Sequence, residues 1–432
     1  MKTSNSDRDM KGTSSILLLG NYRPTLVIAR SLKSQGYRVI SGLEGCDRGA
    51  EYSRCVDEIW DHKPVEGNEA GFILELQEFL SGRSDIAFVL PVTENFVRLF
   101  AETTPQLPEH VKVVMNDPGV VNACLNKTGM LQLARSCKVP VTPYETVSDF
   151  AGLSSALKVI GFPVVVRPAD STLRLFDKKA VTLEGLSCLQ QWFSEWPEEH
   201  AELLVQAKAP GIRHNIYFAA VDGKILKYLH SRIDRTDRLD GSGLAVDGIT
   251  VVPDPVLHAY TSNLVAGLNY TGIGCAQYLV DEYTRQSVFL EINSRFAGNH
   301  AVPEFCGLGL TEFMMQLATE ARFTQTELEY GRSKVRYSWI AGDLEGLKLA
   351  VRKREIGFIK AFEWLGRSIA TGAGSELDMM FNRQDLKPAL VSFFKVLPGA
   401  RHVLNWRFTS FPNKRISPNK TPRVGADVYK SS

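Results

Sequence analysis

The run Val288-Phe289-Leu290-Glu291-Ile292-Asn293 constrains this chain more than any other. Its apolar residues read as a strand, and it ends in a polar, glycine-containing segment, 294–299. Side chains alternate faces along a strand, so Glu291 and Asn293 point one way and Ile292 the other. A second apolar run, 273–280, has Gln277 set into it, and the polar segment 281–287 joins the two. Paired as a hairpin centred near Thr284, the strands bring Gln277 opposite Glu291. Three polar groups on one face of an otherwise apolar sheet are costly without a ligand. Two oxygen ligands two positions apart suit a hard cation such as Mg²⁺ that is held mainly through phosphates. Arg295 adds a guanidinium, which pairs well with phosphate oxygens. That is the chemistry of a nucleotide site.

The rest of the chain supplies the frame. At 432 residues two or three domains are expected. Short apolar runs at 16–19, 37–40, 86–90 and 111–115 alternate with helical periodicity at 24–35 and 72–80. This β-α-β order implies a parallel, doubly wound sheet. One glycine follows the first strand, so the GxGxxG dinucleotide signature is absent. Residues 117–137 read as one amphipathic helix, and 149–160 as another. Strands are expected at 164–168, 203–206, 214–220 and 225–229, with a tight turn at Asp222-Gly223. Further helices are expected at 311–321 and 388–395.

Composition narrows the class. Hydrophobic residues make up 44% and charged residues 23%, ordinary values for a soluble globular protein. A net charge of +2 gives no case for nucleic acid or a membrane surface as partner. No apolar run approaches the ~20 residues of a membrane span, and the polar start lacks the core of a secretory signal. The seven cysteines are scattered without CxxC spacing, which indicates neither zinc nor a disulfide framework. A cytoplasmic location is the expectation.

The order of motifs resembles the ATP-grasp superfamily, particularly its carbamoyl-phosphate-synthase-like branch. The resemblance rests on Gly161-Phe162-Pro163-Val164-Val165-Val166-Arg167-Pro168, then Leu204-Val205-Gln206 with Gly211 behind it, then Gln277, then Glu291-Ile292-Asn293-Ser294-Arg295. It covers roughly residues 15 to 330. It implies a mixed α/β and α+β chain: an N-terminal doubly wound parallel sheet, the two α+β subdomains of an ATP-grasp fold, and a small C-terminal region. The expected boundaries are a disordered tail at 1–13, an N-terminal domain at 14–116, and an ATP-grasp domain at 117–330 with its lid at about 140–212. A C-terminal region follows at 331–412, and a mobile basic tail at 413–432.

The resemblance also implies roles. Arg167 and Lys127 match the basic residues that contact the nucleotide phosphates. Gln206, Ala207, Lys208 and Ala209 match the hinge that meets adenine through its backbone. Gln277, Glu291 and Asn293 match metal-binding positions for Mg²⁺, with Mn²⁺ able to substitute. Arg295 matches the residue that stabilises the transferring phosphoryl group, so Arg295 and Arg167 are the catalytic candidates. Two departures stand out. The phosphate loop 169–179 has no glycine, so Ser171 and Arg174 are candidates to bind phosphate through side chains. The usual ribose-binding acid is missing, and His214 or Asn215 is the nearest match. Arg213, Arg232 and His300 are candidates for substrate contact, and Arg235 lies in a segment expected to line the cleft.

The implied activity is that of an ATP-dependent ligase. It activates a small-molecule carboxylate, or an equivalent oxygen, and joins it to an amine such as an amino acid, releasing ADP and phosphate. The alternatives are a nucleotide-binding regulator without turnover and an imine- or enamine-forming natural-product ligase. The expected partners are those two small substrates and ATP, with a homodimer possible.

Overall fold

The computed structural model describes residues 14–44, 49–170, 173–176, 178–193, 196–197, 200–319, 326–396 and 414–416. Two compact units emerge. The first contains residues 1–92, 105–113 and 382–432, and the second contains 93–104 and 114–381. Residues of the segment 331–412 fall in both, up to Phe381 in the second and from Asn382 in the first.

The first unit is built on a parallel sheet. β1 (Ser15–Leu19) is buried along its whole length, as its unbroken apolar sequence requires of a central parallel strand. β2 (Arg38–Leu43) and β3 (Glu58–Asp61) lie to one side, and β4 (Ile86–Pro91) and β5 (Lys112–Val113) to the other. All these pairings are parallel, including that of the strand Lys414–Ile416 with β3. α1 (Arg23–Ser34) buries Leu26, Ala29 and Leu32, and α2 (Glu69–Ser81) buries Phe72, Leu76 and Leu80 at helical spacing. β3 was not legible in the sequence because it begins with a charge. Glu58 is buried and paired with Arg38 and Arg83.

The second unit begins with α3 (Glu94–Thr103) and continues at α4 (Pro118–Leu125) and α5 (Lys127–Ser136). The single helix expected over 117–137 is therefore two. The break falls at Asn126, whose backbone is extended and whose side chain accepts the Gly129 N–H as the cap of α5. Asparagine at such a position favours a new start over continuation. The extended residue bridges to Asp170, and the Lys127 N–H reaches the Ala169 carbonyl at 3.3 Å.

Two antiparallel sheets follow. The smaller has β6 (Tyr144–Val147), β7 (Val164–Pro168), β8 (Val181–Leu183) and β9 (Leu203–Ala207) in the order β6-β9-β7-β8, with α6 (Phe150–Ile160) and α7 (Leu186–Trp192). Leu153, Leu157, Val164, Val166 and Val205 share its core. The larger runs β14 (Ser287–Asn293), β13 (Gly272–Val280), β10 (Ile212–Val221), β11 (Lys224–Thr236), β12 (Ala245–Val251). Short strands β15 (Glu329–Tyr330), β16 (Arg336–Ser338) and β17 (Leu377–Asp378) complete it. α8 (Pro255–Gly267) covers one face, where Leu257, Leu264 and Val265 share a core with Ile216, Tyr278 and Ile292. α9 (Ala301–Phe305), α10 (Leu310–Thr319), α11 (Ile340–Arg352) and α12 (Phe358–Gly374) follow. β11 runs seven residues past its expected end, because its second half alternates charged residues with Ile233 and carries no continuous apolar signal. No helix among the described residues is long and apolar enough to cross a membrane.

Candidate active site

The hairpin β13–β14 has the register that the sequence pattern implies: Gln277 faces Glu291, and Cys275 faces Asn293. β10 extends the same face, with Asn215 opposite Gln277 and Tyr217 opposite Cys275. Asn116 pins the start of the hairpin to its end. Its amide donates to the Ile273 carbonyl and to Ser294 Oγ, and its oxygen accepts the Ile273 N–H. Gly272 is required there, since a Cβ would fall about 2.0 Å from Asn116 Oδ1.

On this face Asn293 Nδ2 donates to Glu291 Oε1 at 2.8 Å. Arg295 Nη2 donates to Asn293 Oδ1 at 3.3 Å and to Glu94 Oε2 at 2.6 Å. Glu94, in the first turn of α3, carried no signal in the sequence, because an acidic residue in a first turn is ordinary helix chemistry. Burial raises the Glu291 carboxyl, yet Arg167, Asn293, Lys127 and Lys179 together hold it below its usual range. Burial and the neighbouring Arg167 guanidinium push the Lys127 ammonium down to about 8, against the opposing pull of Glu291 and Glu94. Burial likewise lowers Arg167, with Glu291 opposing.

Arg167 and Lys127 are poorly satisfied for half-buried cations. Arg167 Nε is buried and has no hydrogen-bond partner among the described residues. Among the described residues Lys127 Nζ makes only long contacts, to the carbonyls of Pro168 (3.5 Å) and Asp170 (3.3 Å). An orphaned buried donor costs about 1–3 kcal/mol, more when charged. A multivalent oxyanion between these groups would satisfy both, and phosphate fits that need. The polar face offers a divalent cation one carboxylate, Glu291, with the Asn293 and Gln277 carbonyl oxygens beside it. Such a sparse set fits Mg²⁺ that takes its remaining ligands from phosphate and water.

Several sequence candidates sit elsewhere. His214 pairs with Arg232 across β10–β11 on the face opposite Gln277 and Glu291, the face that α8 covers. Strand parity thus puts His214 and Arg232 on the face opposite Glu291, and Asn215, the other candidate for the ribose, on the Glu291 face. His214 Nδ1 lies 2.7 Å from His230 Nε2. Burial drives these imidazoles down to about 4 and about 3. Arg232 donates to Asp234 at 2.7 Å. His300 is buried, with Nε2 2.9 Å from Thr311 Oγ1 and 3.2 Å from Glu304 Oε1, so its ring is held within the α9–α10 region. Arg235 is committed to Asp343, whose carboxylate also accepts Trp364 Nε1–H and Ser368 Oγ–H.

Arg213 remains on the inward face. Both its terminal nitrogens donate to the Gly243 carbonyl at 3.2 Å, and its Nε is buried without a partner among the described residues. In the hinge the N–H groups of Ala207 and Lys208 are taken by Pro143 and Pro163 carbonyls. Gln206 Nε2 donates to Thr142 Oγ1 at 3.4 Å. Among the described residues these bonds leave Ala209 as the first of the four, 206–209, whose N–H has no backbone partner outside the strands. In the glycine-free loop, Leu175 and Lys178 bridge in antiparallel fashion and Leu175 is fully buried, while Arg174 is exposed. Ser171 lies outside the described residues.

Comparison with known proteins finds one matching segment and several similar folds. Residues 254–326 match the family described as carbamoyl-phosphate synthase L chain, ATP binding domain. No curated protein matches the chain in sequence. Among solved structures, biotin carboxylase from Campylobacter jejuni is similar over 73% of this chain and 73% of its own, at 17% identity and a TM-score of 0.56. N5-carboxyaminoimidazole synthetase from Staphylococcus aureus, complexed with ADP, covers 75% and 80% at 14% identity and a TM-score of 0.57. L-amino acid ligase from Bacillus licheniformis covers 71% and 74% at 11% identity and a TM-score of 0.54. The chain is therefore similar in fold to these three proteins, and its segment 254–326 to that ATP-binding domain.

Proposed function

We propose that this protein is an ATP-dependent ligase that phosphorylates a small-molecule carboxylate and joins the activated carbonyl to an amine, releasing ADP and phosphate. The observation that carries the reading is the pair of under-satisfied, half-buried cations, Arg167 and Lys127, set against Glu291 on the polar sheet face. Lys127 and Arg167 bind the ATP phosphates, and the hinge near Ala209 meets the adenine. Glu291, Asn293 and Gln277 hold Mg²⁺, which neutralises phosphate charge when bound. Arg295 stabilises the charge that develops on the transferring phosphoryl group. No protein nucleophile is needed: positioning and charge neutralisation do the work. Arg213, on the same face, is the anchor for the substrate carboxylate. Amino acids are the favoured amine class, since an amino acid ligase is among the proteins of similar fold.

The test is ADP release from ATP and Mg²⁺ with pooled small carboxylic acids and amino acids, followed by mass spectrometry of the product. Turnover that depends on both pools and is lost in Glu291→Gln supports the ligase. Nucleotide binding without turnover across all pools would identify a regulator instead.

A further inference from the structure

The helical hairpin α11–α12 ends in a tip where positive charge and exposed apolar surface coincide. Asp343 of α11 accepts from Trp364 Nε1–H and Ser368 Oγ–H, and a Cβ at Gly372 would fall 2.5 Å from Ile340 Cδ1. The two helices therefore run antiparallel, and the turn between Arg352 and Phe358 stands at their far end. Val351, Phe358 and Ile359 are 48, 82 and 78% exposed there. Phe362 and Ile369 continue the apolar surface along α12 at 63 and 65%. At about 100° per residue, Phe358, Phe362, Leu365 and Ile369 fall within an arc of about 60°, with Ile359 beside it. Trp364 and Ser368 point the other way, toward α11. Single exposed apolar residues are normal, but a continuous stripe marks a contact surface.

The charge at this tip is local. Residues 352–360 carry Arg352, Lys353, Arg354 and Lys360 against Glu355 alone. Arg367 follows along the edge of the stripe, with Glu363 between. The net charge of +2 hides this excess, because acids elsewhere in the chain cancel it. All five cations are exposed, and none of them forms an ion pair among the described residues. The turn that presents them is ordered: the Arg354 N–H reaches the Val351 carbonyl at 3.0 Å, and the Glu355 N–H the Ala350 carbonyl at 2.9 Å. Arg354 has a left-handed backbone, with φ 58°. Glycine is the usual occupant of such a helix end, since a side chain there is strained.

We infer that the tip and outward side of α12 dock on an anionic phospholipid surface. Phe358, Ile359, Phe362 and Ile369 enter the boundary between headgroups and acyl chains, and the five cations meet the anionic headgroups. Charge complementarity favours this occupant. A protein surface that buried the stripe would also strip water from the neighbouring cations, and would need acids placed to match them. A bilayer takes up the apolar side chains and leaves the long basic ones in water at headgroup level. The helix lies on the membrane and does not span it. α12 has 17 residues and charges along one edge, short of the ~20 apolar residues of a span.

The experiment is co-sedimentation of the full-length protein with vesicles of phosphatidylcholine alone, or of phosphatidylcholine with about 30% phosphatidylserine. Capture is expected on the anionic vesicles and at least tenfold weaker on the neutral ones. It should weaken again as salt rises from about 0.1 to 0.5 M, because screening shortens the reach of the cations. Replacing Phe358 and Ile359 together by serine should cut binding at least tenfold and leave the melting temperature unchanged, since both side chains are already exposed. Arg354→Gly is the sharper variant. It removes one cation and relieves the backbone, so the melting temperature holds or rises while binding falls about fivefold. No capture, equal capture on both vesicles, or capture indifferent to the Phe358 and Ile359 replacements overturns the inference. A protein that ignores vesicles and associates with itself through Phe358 overturns it as well.

Discussion

Arg295 and Glu94, 201 positions apart, form an ion pair of 2.6 Å on the edge of the polar sheet face, with Asn293 Oδ1 accepting from the same Nη2. The pair fixes the direction of the fork before any substrate arrives. Arg295→Lys keeps the charge and loses the fork, and should lower kcat by about tenfold to a thousandfold. Glu94→Gln should lower it less. Because the two act together, the double variant should lose less than the sum of the singles. Phosphate-release kinetics on the four proteins measures this, and strict additivity would mean that Glu94 does not act through Arg295.

Lys127 gives a pH signature. Its ammonium titrates near 8 in the free protein, below the ordinary 10.5. Bound phosphates favour the charged form and raise it again. Below pH 8 the group is already charged and contributes no pH dependence. Above it, binding must take up a proton, so nucleotide affinity should fall by up to about tenfold per pH unit. Titration calorimetry of ADP between pH 7 and 9.5, in buffers of different ionisation enthalpy, should show proton uptake at the upper end. Lys127→Met should bind more weakly with no such uptake, and uptake that persists in it would assign the proton elsewhere.

The Asp343 cluster should matter for stability and not for chemistry. Its carboxylate compensates the partly buried Arg235 and accepts from Trp364 and Ser368. Asp343→Ala leaves that charge with only the more distant Asp247 carboxylate at 3.8 Å and is expected to cost about 3–5 kcal/mol in denaturant unfolding. Turnover per folded molecule should stay near wild type. A kcat loss at full folding would return Arg235 to the list of substrate contacts.

The His214–His230 pair should make the protein acid-sensitive. Both imidazoles lie well below 6.5 in the folded state, at about 4 and about 3. Between those values and 6.5 the unfolded chain binds more protons, so stability falls as pH falls; above 6.5 the pair contributes no slope. From pH 6.5 to 5 the loss should be about 3 kcal/mol for the two groups together. His230→Gln should reduce that loss, as read from denaturant midpoints at the two pH values. An unchanged slope would place the acid sensitivity in other groups.

The sequence alone determined whatever depends on local period and on residues close together in the chain. The alternation in 288–293 and the polar turn before it were enough to set Gln277 opposite Glu291, because a hairpin leaves few registers once one face must stay apolar. The parallel sheet of the first unit followed from unbroken apolar runs between amphipathic helices. Tertiary structure decided what depends on long-range parity and pairing. His214 and Asn215 are adjacent in sequence, and only the pairing of β10 with β13 decides which one faces Gln277. Asn126 divides a helix that propensity would join, because its cap and the neighbouring bridge to Asp170 outweigh continuation. Arg235 and Arg295 look alike as arginines in polar segments, yet one is committed to Asp343 and the other stands at the polar face beside Glu94. Charge identity is local, but the partner that gives it a role comes from 108 or 201 residues away.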